Sequence, residues 1–283
     1  MTTELPPSAV DIVTRAFQED LQDAGDVTTL ATITEGHRSI GKFVAREAGC
    51  VAGIPIVEMC LLHIDPTLVV TRLAQDGDLV DAGTVVLEAA GSTRSLLTAE
   101  RVALNFLGWL SGVATATRSF VDAVAGTETA ISDTRKTTPG LRSLEKYAVA
   151  IGGGVNHRMG LYDAVMIKDN HIVASSSIHE AVEAARAFVG SEVIVEVEVD
   201  TLGQLSEVLA TTADVVLLDN MKPDGLRTAV TMVDGRICTE ASGGITLDNV
   251  RDVAAAGVDV ISVGWITHSA PALDVAMDLT DSR

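Results

Sequence analysis

The sequence predicts an α/β protein whose C-terminal part is built like a β/α barrel, and three observations carry that reading. Beyond residue 125, strand-like and helix-like runs alternate, the pattern in which each crossover lays one parallel strand beside another. Two of those runs, AVMI at 164–167 and VVLL at 215–218, are continuously apolar, as strands covered on both faces must be. Most of the runs end on charged or small polar residues, which a barrel gathers at a single rim.

The chain has 283 residues, 47% of them hydrophobic, with 20 Lys+Arg against 39 Asp+Glu. That is enough apolar material for one large domain or two modest ones, and it excludes disordered and low-complexity classes. A net charge of −19 repels phosphate backbones and anionic lipid, so neither nucleic acid nor a membrane is an expected partner. No apolar run approaches the roughly 18–20 residues of a membrane span. Residues 1–20 show no basic stretch leading into an apolar one, so no secretory leader is expected and the location expected is cytoplasmic. Cys50, Cys60 and Cys238 are odd in number and far apart, which fits reduced thiols better than a disulfide or zinc framework.

In order, a helix is expected at 9–21, with Ile12, Val13, Ala16 and Phe17 on one face. Residues 27–90 read as short strands, including 38–45, 67–73 and 84–89, separated by Asp/Gly turns. A Leu/Ala-rich helical stretch follows from 92 to 124, which Gly108 and Gly112 are expected to divide or bend. Strands are then expected at 129–132, 164–167, 193–199, 215–218, 236–240 and 258–263, with helices at 178–189, 202–209 and 247–255. Their ends carry Asp133 and Arg135, Lys168, Glu198 and Asp200, Asp219, Ser242 with Gly243 and Gly244, and Gly264.

Charge is unevenly spread. Residues 135–168 hold six cations, Arg135, Lys136, Arg142, Lys146, Arg158 and Lys168, against only Glu145 and Asp163. A basic island in an acidic protein steers an anion to one cleft, and guanidinium groups clamp carboxylate or phosphate with paired hydrogen bonds. Arg142 and Lys146, four residues apart, read as the solvated face of a helix. The segment VEVEVD at 195–200 sets Glu196, Glu198 and Asp200 on one strand face, where lysines, hydroxyls or a hard cation must balance them. ASGGI at 241–245, leading into a helix near Thr246, reads as an anion cradle, with SVGWITHS at 262–269 as a second wall. IGGGVNH at 151–157 is too rich in glycine for a helix interior and lets backbone approach a ligand. His37, His63 and His179 read as ordinary surface or core residues. The sequence has no H-E-x-x-H, C-x-x-C, G-x-S-x-G or P-loop motif.

These segments together resemble the quinolinate phosphoribosyltransferase family. The resemblance lies in DTRKTTPGLRSLEKYAV (133–149), GGGVNHRMGLYDAVMIKDNH (152–171), VEVEVD, LLDN (217–220), ASGGI and VGWITHS. It extends to GDVTTLAT (25–32), AREAGCVAG (45–53) and LLTAERVALNFLGWLSGVATAT (96–117), so it covers nearly the whole chain. It implies an N-terminal α/β sandwich domain over 1–112 and an open, incomplete β/α barrel over 113–270. A C-terminal helix at 271–283 returns to the first domain. The implied reaction joins quinolinate to phosphoribosyl pyrophosphate in NAD synthesis, releases pyrophosphate and CO2, and requires Mg2+. The implied assembly is a homodimer or a higher homo-oligomer. By the resemblance, Arg135, His157, Arg158 and Lys168 bind quinolinate, with Arg101 reaching in from the neighbouring subunit. Lys136 contacts pyrophosphate, Glu198 and Asp219 meet Mg2+ and the ribose, and Ser242, Gly243, Gly244 and Gly264 cradle the 5′-phosphate. Lys136, Lys168, Glu198 and Asp219 carry the implied catalytic roles.

Three positions depart from the family's pattern: Ala150 where Arg is common, Trp265 with Ile266 in place of Ala and Leu, and Trp109 where a basic or polar residue is common. Trp265 is expected to pack locally rather than crowd the phosphate cradle. Other readings are a carbon–carbon lyase with Lys168 as Schiff-base nucleophile, a non-catalytic anion-binding relative, and an enzyme that prefers nicotinate. The paired arginines oppose the first, the intact GGGVNHR, EVEVD and LLDN segments oppose the second, and the number of carboxylate partners opposes the third.

Overall fold

The computed structural model describes residues 4–281. They form two compact units: one takes in the chain up to Arg118, Thr137–Gly153 and the residues from Ile266 on, the other Ser119–Lys136 and Gly154–Trp265. In chain order the elements are α1 (Ala9–Leu21), α2 (Val27–Thr32), β1 (Arg38–Ala45), β2 (Gly49–Cys50), α3 (Ile54–Ile64), β3 (Val69–Arg72), β4 (Leu79–Val80), β5 (Val85–Ser92) and α4 (Thr93–Ala123). Then come β6 (Ala130–Ser132), α5 (Arg142–Ile151), β7 (Val165–Ile167), α6 (Asp169–Ser175), α7 (Ile178–Val189), β8 (Val195–Val199) and α8 (Leu202–Val208). The chain ends through β9 (Val215–Asp219), α9 (Pro223–Val233), β10 (Cys238–Ser242), α10 (Val250–Ala254), β11 (Val260–Ser262), α11 (Trp265–His268) and β12 (Val275–Asp281).

The first unit is built on an antiparallel sheet in the order β12-β1-β5-β3, with β2 and β4 paired separately. Phe17 of α1, Phe43 of β1, Leu61 of α3, Leu87 of β5 and Leu107 of α4 are among its buried side chains. His63 stacks on Phe17 with ring centroids 5.2 Å apart. Residues 54–64, inside the stretch read as strands, form the helix α3. Asp76 accepts the amides of Gly53 and Ile54 at 2.8 and 2.9 Å, and Pro55 starts the first turn, where its missing N–H costs nothing. Helix α4 is one unbroken element, so Gly108 and Gly112 do not divide it. They instead let backbone cross it closely: Leu273 N–H donates to the Gly108 carbonyl at 2.9 Å. Residues 275–281 are a strand rather than the expected helix; they pair antiparallel with β1 from Ser39↔Asp281 to Ala45↔Val275. The return to the first unit is thus made by ladder hydrogen bonds on a sheet edge.

The second unit is an all-parallel sheet in the order β6-β11-β10-β9-β8-β7. Among the described residues β6 and β7 remain its two edges, so the barrel is open. A single bridge, Ser132 to Val155, adds to the β6 side. Val195, Val197, Val216, Leu218 and Ile261 are buried on the strands, under Val182, Leu205, Leu226 and Val250 from the crossover helices. This is the two-sided covering that the apolar runs call for. The registers Ser242↔Asp219 and Ser262↔Ser132 set the carboxyl ends of neighbouring strands side by side. No helix among the described residues is long and apolar enough to cross a membrane.

Candidate active site

The second unit contains a cavity of about 430 Å3 at these carboxyl ends. Eight of the expected residues line it: Arg135, Lys136, His157, Arg158, Lys168, Glu198, Asp219 and Ser242. Each arrives from a strand end or the loop after it, because a parallel sheet aims every strand in one direction. Asp133, wholly buried just after β6, accepts from Asn156 Nδ2 at 2.6 Å and from the His157 amide at 3.0 Å. One carboxylate therefore fastens the GGGVNHR loop to the sheet. Arg158 Nη1 donates to the Ala164 carbonyl at 2.9 Å. Burial first, and the nearby Arg135 charge second, lower the Arg158 pKa from the ordinary guanidinium value. Two guanidinium groups close together in a partly dry cavity have the chemistry to hold a dianion.

Across β8 and β9 the charge is negative. Lys168 Nζ ion-pairs with Glu198, and the Lys168 amide donates to His171 Nδ1 at 3.0 Å. Asp219 is held above the usual carboxylate range, first by burial and then by the charges of Glu198 and Asp200. These carboxylates offer oxygen atoms and a like charge that Lys168 offsets only in part, which fits a hard divalent cation. Asp200 lies just past the end of β8 and is exposed, so the strand face read from VEVEVD holds only Glu196 and Glu198.

Glu196 belongs to a different group. His157 Nε2 lies 3.2 Å from Glu196 Oε2 and 3.4 Å from Glu240 Oε2, and the Arg158 amide donates to Nδ1 at 2.8 Å. Burial on its own disfavours a charged ring, but the two carboxylates outweigh it and lift the His157 pKa to about 10. Glu196 is raised as well, chiefly by burial, with Glu240 adding to it among opposing partners. With Nδ1 accepting the Arg158 amide, Nε2 is the nitrogen that presents its hydrogen to the two acids. Ser262, from the segment expected as a second wall, lines the cavity, while sequence reasoning missed Glu240, together with Thr134, Met166 and Leu217, which also line it. A lone acid in CTEAS gives no signal until β10 and β8 bring it to the same imidazole.

Gly243 and Gly244 follow Ser242 with φ of +89° and +61°. A Cβ at Gly243 would stand 2.2 Å from Asn220 Oδ1, so only glycine fits between the ends of β9 and β10. The helix expected from Thr246 begins only at Val250. The turn before it is closed by the Thr246 amide donating to Asn249 Oδ1 at 2.9 Å, so the glycine turn, not a helix start, follows Ser242. Gly264 follows β11 but does not line the cavity. Trp265 does not line it either; its ring sits 6.2 Å from that of Phe120, the local packing expected. Arg101 lies exposed on α4, in the first unit, where with Arg15 and Asn105 it borders another cavity.

Further expectations are met differently in the structure. Lys146 is buried at 1% exposure and is no part of a solvated face. Beside it, Glu145 accepts from Trp109 Nε1 at 3.1 Å and from the Thr138 amide at 3.0 Å, which gives Trp109 its role. In the Gly152–Gly154 run, a Cβ at Gly152 would stand 2.5 Å from the Ala114 carbonyl oxygen. At Gly152 the close approach is to α4. Nothing in the structure explains Ala150.

Residues 26–111 match the family model of the quinolinate phosphoribosyl transferase N-terminal domain, and residues 113–278 match that of the C-terminal domain. The chain is 45% identical over 267 residues to the probable nicotinate-nucleotide pyrophosphorylase [carboxylating] of Bacillus subtilis, covering 94% of this chain and 92% of that one. It is 44% identical to the nicotinate-nucleotide pyrophosphorylase [carboxylating] of Mycobacterium leprae, covering 96% and 97%. Among solved structures, NadC from Streptococcus pyogenes superposes with a TM-score of 0.95 at 40% identity over 100% of both chains. The nicotinate-nucleotide pyrophosphorylase from Francisella tularensis gives 0.94 at 37% identity over 98% of each. With both family models matched in order and relatives this similar along nearly their whole length, the chain belongs to the quinolinate phosphoribosyltransferase family.

Proposed function

We infer that this protein transfers the 5-phosphoribosyl group of phosphoribosyl pyrophosphate to the ring nitrogen of quinolinate. The products are nicotinate mononucleotide, pyrophosphate and CO2, made for NAD synthesis in the cytoplasm. The observation that carries this reading is that one cavity is lined both by the cations Arg135, Arg158 and Lys168 and by the carboxylates Glu198 and Asp219. The arginines, with His157 and Lys168, hold the two adjacent carboxylates of quinolinate and fix the pyridine nitrogen toward the ribose. Lys136 meets the pyrophosphate, and Ser242 with the Gly243–Gly244 turn receives the 5′-phosphate through backbone amides. As the bond from C1′ to pyrophosphate breaks, Glu198 and Asp219 stabilise the positive charge on the ribosyl centre until the nitrogen captures it. The ribosylated nitrogen is cationic, so the bond to the 2-carboxylate breaks with its electron pair left on C2, CO2 departs and C2 takes up a proton. No side-chain nucleophile enters these steps.

Glu198 and Asp219 are the residues to hold Mg2+, which when bound neutralises the charge of the leaving group. The working form is a homodimer or an assembly of dimers, in which Arg101 of one copy completes the cavity of the next.

An end-point assay with phosphoribosyl pyrophosphate and Mg2+ tests the reading. Quinolinate should yield mononucleotide and CO2 together, and nicotinate should yield neither. A folded protein that makes no product from quinolinate would refute the assignment. EDTA should abolish turnover and added Mg2+ restore it. Asp219→Asn should raise the Mg2+ needed for half-maximal rate by about tenfold, the loss usual for a disturbed metal site.

A further inference from the structure

Resting on the reaction proposed above, we propose that Glu196 and Glu240 are positioning residues for the dicarboxylate substrate, acting through His157. Both lie inside the parallel sheet at 3% and 4% exposure, Glu196 opposite Val215 and Glu240 opposite Leu217. Two carboxylates buried this close destabilise a protein unless each is answered by a donor or a cation. Both are answered by the same atom, His157 Nε2, while their Oε1 atoms have no hydrogen-bond partner among the described residues. A core that needed only neutralising would be served by apolar residues at these positions.

What the pair does fix is the imidazole, and through it the loop that carries Arg158. The ring is held at Nε2 by the two acids and at Nδ1 by the Arg158 amide. The His157 amide is tied to Asp133, so the chain enters Arg158 along a set path. The guanidinium then stands near Arg135, held by the Ala164 carbonyl. Without an inward pull on His157, repulsion from Arg135 and Lys168 would spread the cationic side of the cavity, and spacing between cations is what selects two adjacent carboxylates.

Steady-state kinetics with quinolinate and phosphoribosyl pyrophosphate, alongside thermal unfolding, test this. In Glu240→Gln and in Glu196→Gln the KM for quinolinate should rise roughly tenfold, the scale of a lost charge-assisted hydrogen bond. The KM for phosphoribosyl pyrophosphate should stay within about twofold of wild type, since a loss confined to one substrate marks a loss of its binding. In a His157→Ala background neither substitution should weaken quinolinate further by more than about twofold, because residues acting through one group are not additive. Unchanged quinolinate KM in both variants, with or without a lower unfolding temperature, would overturn the inference, as would full additivity with His157→Ala. If Glu240→Gln does not fold, Glu196→Gln carries the same reading; if neither folds, the pair is structural and the inference falls. A wild-type protein inert toward quinolinate refutes the reaction itself and is distinguished from these outcomes by that control.

Discussion

Lys168→Ala and Arg135→Ala each lower kcat/KM by about a thousandfold, the scale of removing one charged contact to a transition state, while the protein stays folded. Lys168 follows β7, and its main chain is held by the contact of its amide with His171 Nδ1, which the substitution keeps. Its side chain is 44% exposed and, among the described residues, ion-pairs with the carboxylate of Glu198. An ion pair that open to water contributes about 0–1 kcal/mol, so the unfolding temperature should hardly move. In the reaction proposed above the same ammonium would face a substrate carboxylate in a cavity that substrate itself dries, where its charge counts for more. Arg135 differs in offering two parallel hydrogen bonds, so Arg135→Lys should recover only part of the loss. Turnover and thermal unfolding measured on the same samples decide the matter; wild-type rates in either Ala variant would sink the assignment of the cavity as the active site.

The parts of the protein legible in the sequence are those whose cause is local. The parallel strands announce themselves because a strand covered on both faces must be apolar throughout, as VVLL is. The rim residues announce themselves because each follows such a strand: Lys168 after β7, Asp219 at the end of β9, Ser242 at the end of β10. What stayed hidden depends on partners far along the chain. Strand β12 is largely exposed and carries little pattern of its own; β1 makes it a strand by pairing with it along seven residues, and tertiary pairing overrides propensity. Lys146 sits four residues from Arg142 as a solvated pair would, yet the helix turns that position inward, and periodicity alone does not say which neighbour covers it. Glu240 is one acid in a short strand until His157 and Glu196 meet it. Gly112 looked like a weakness in a long helix, and the chain that needs it to be glycine lies some 160 residues later.

That last residue makes a test of the first unit's architecture by stability rather than by rate. Replacing glycine by alanine inside a helix normally stabilises by about 1 kcal/mol, since alanine gives up less backbone freedom on folding. At Gly112 the added Cβ would stand 2.1 Å from the Pro271 carbonyl oxygen and 2.9 Å from Ala272 Cα. Both are backbone atoms, so no rotamer change relieves the contact. The segment that must move leads directly into β12, and its Leu273 amide is bound to the Gly108 carbonyl one turn away. Gly112→Ala should therefore destabilise by about 3 kcal/mol, the upper part of the usual range for overpacking, read as a lower denaturant midpoint with an unchanged slope. Gly225, in the first turn of α9, offers the contrast: its nearest foreign atom, Met221 Cβ, would lie 3.9 Å from an added Cβ. Gly225→Ala should stabilise by about half a kcal/mol. Opposite signs for the same chemical change would show that the returning chain, and not helix propensity, dictates glycine at 112. If Gly112→Ala matched Gly225→Ala, the crossing of α4 by residues 271–273 would be wrong, and with it the path by which β12 reaches the edge of the first sheet.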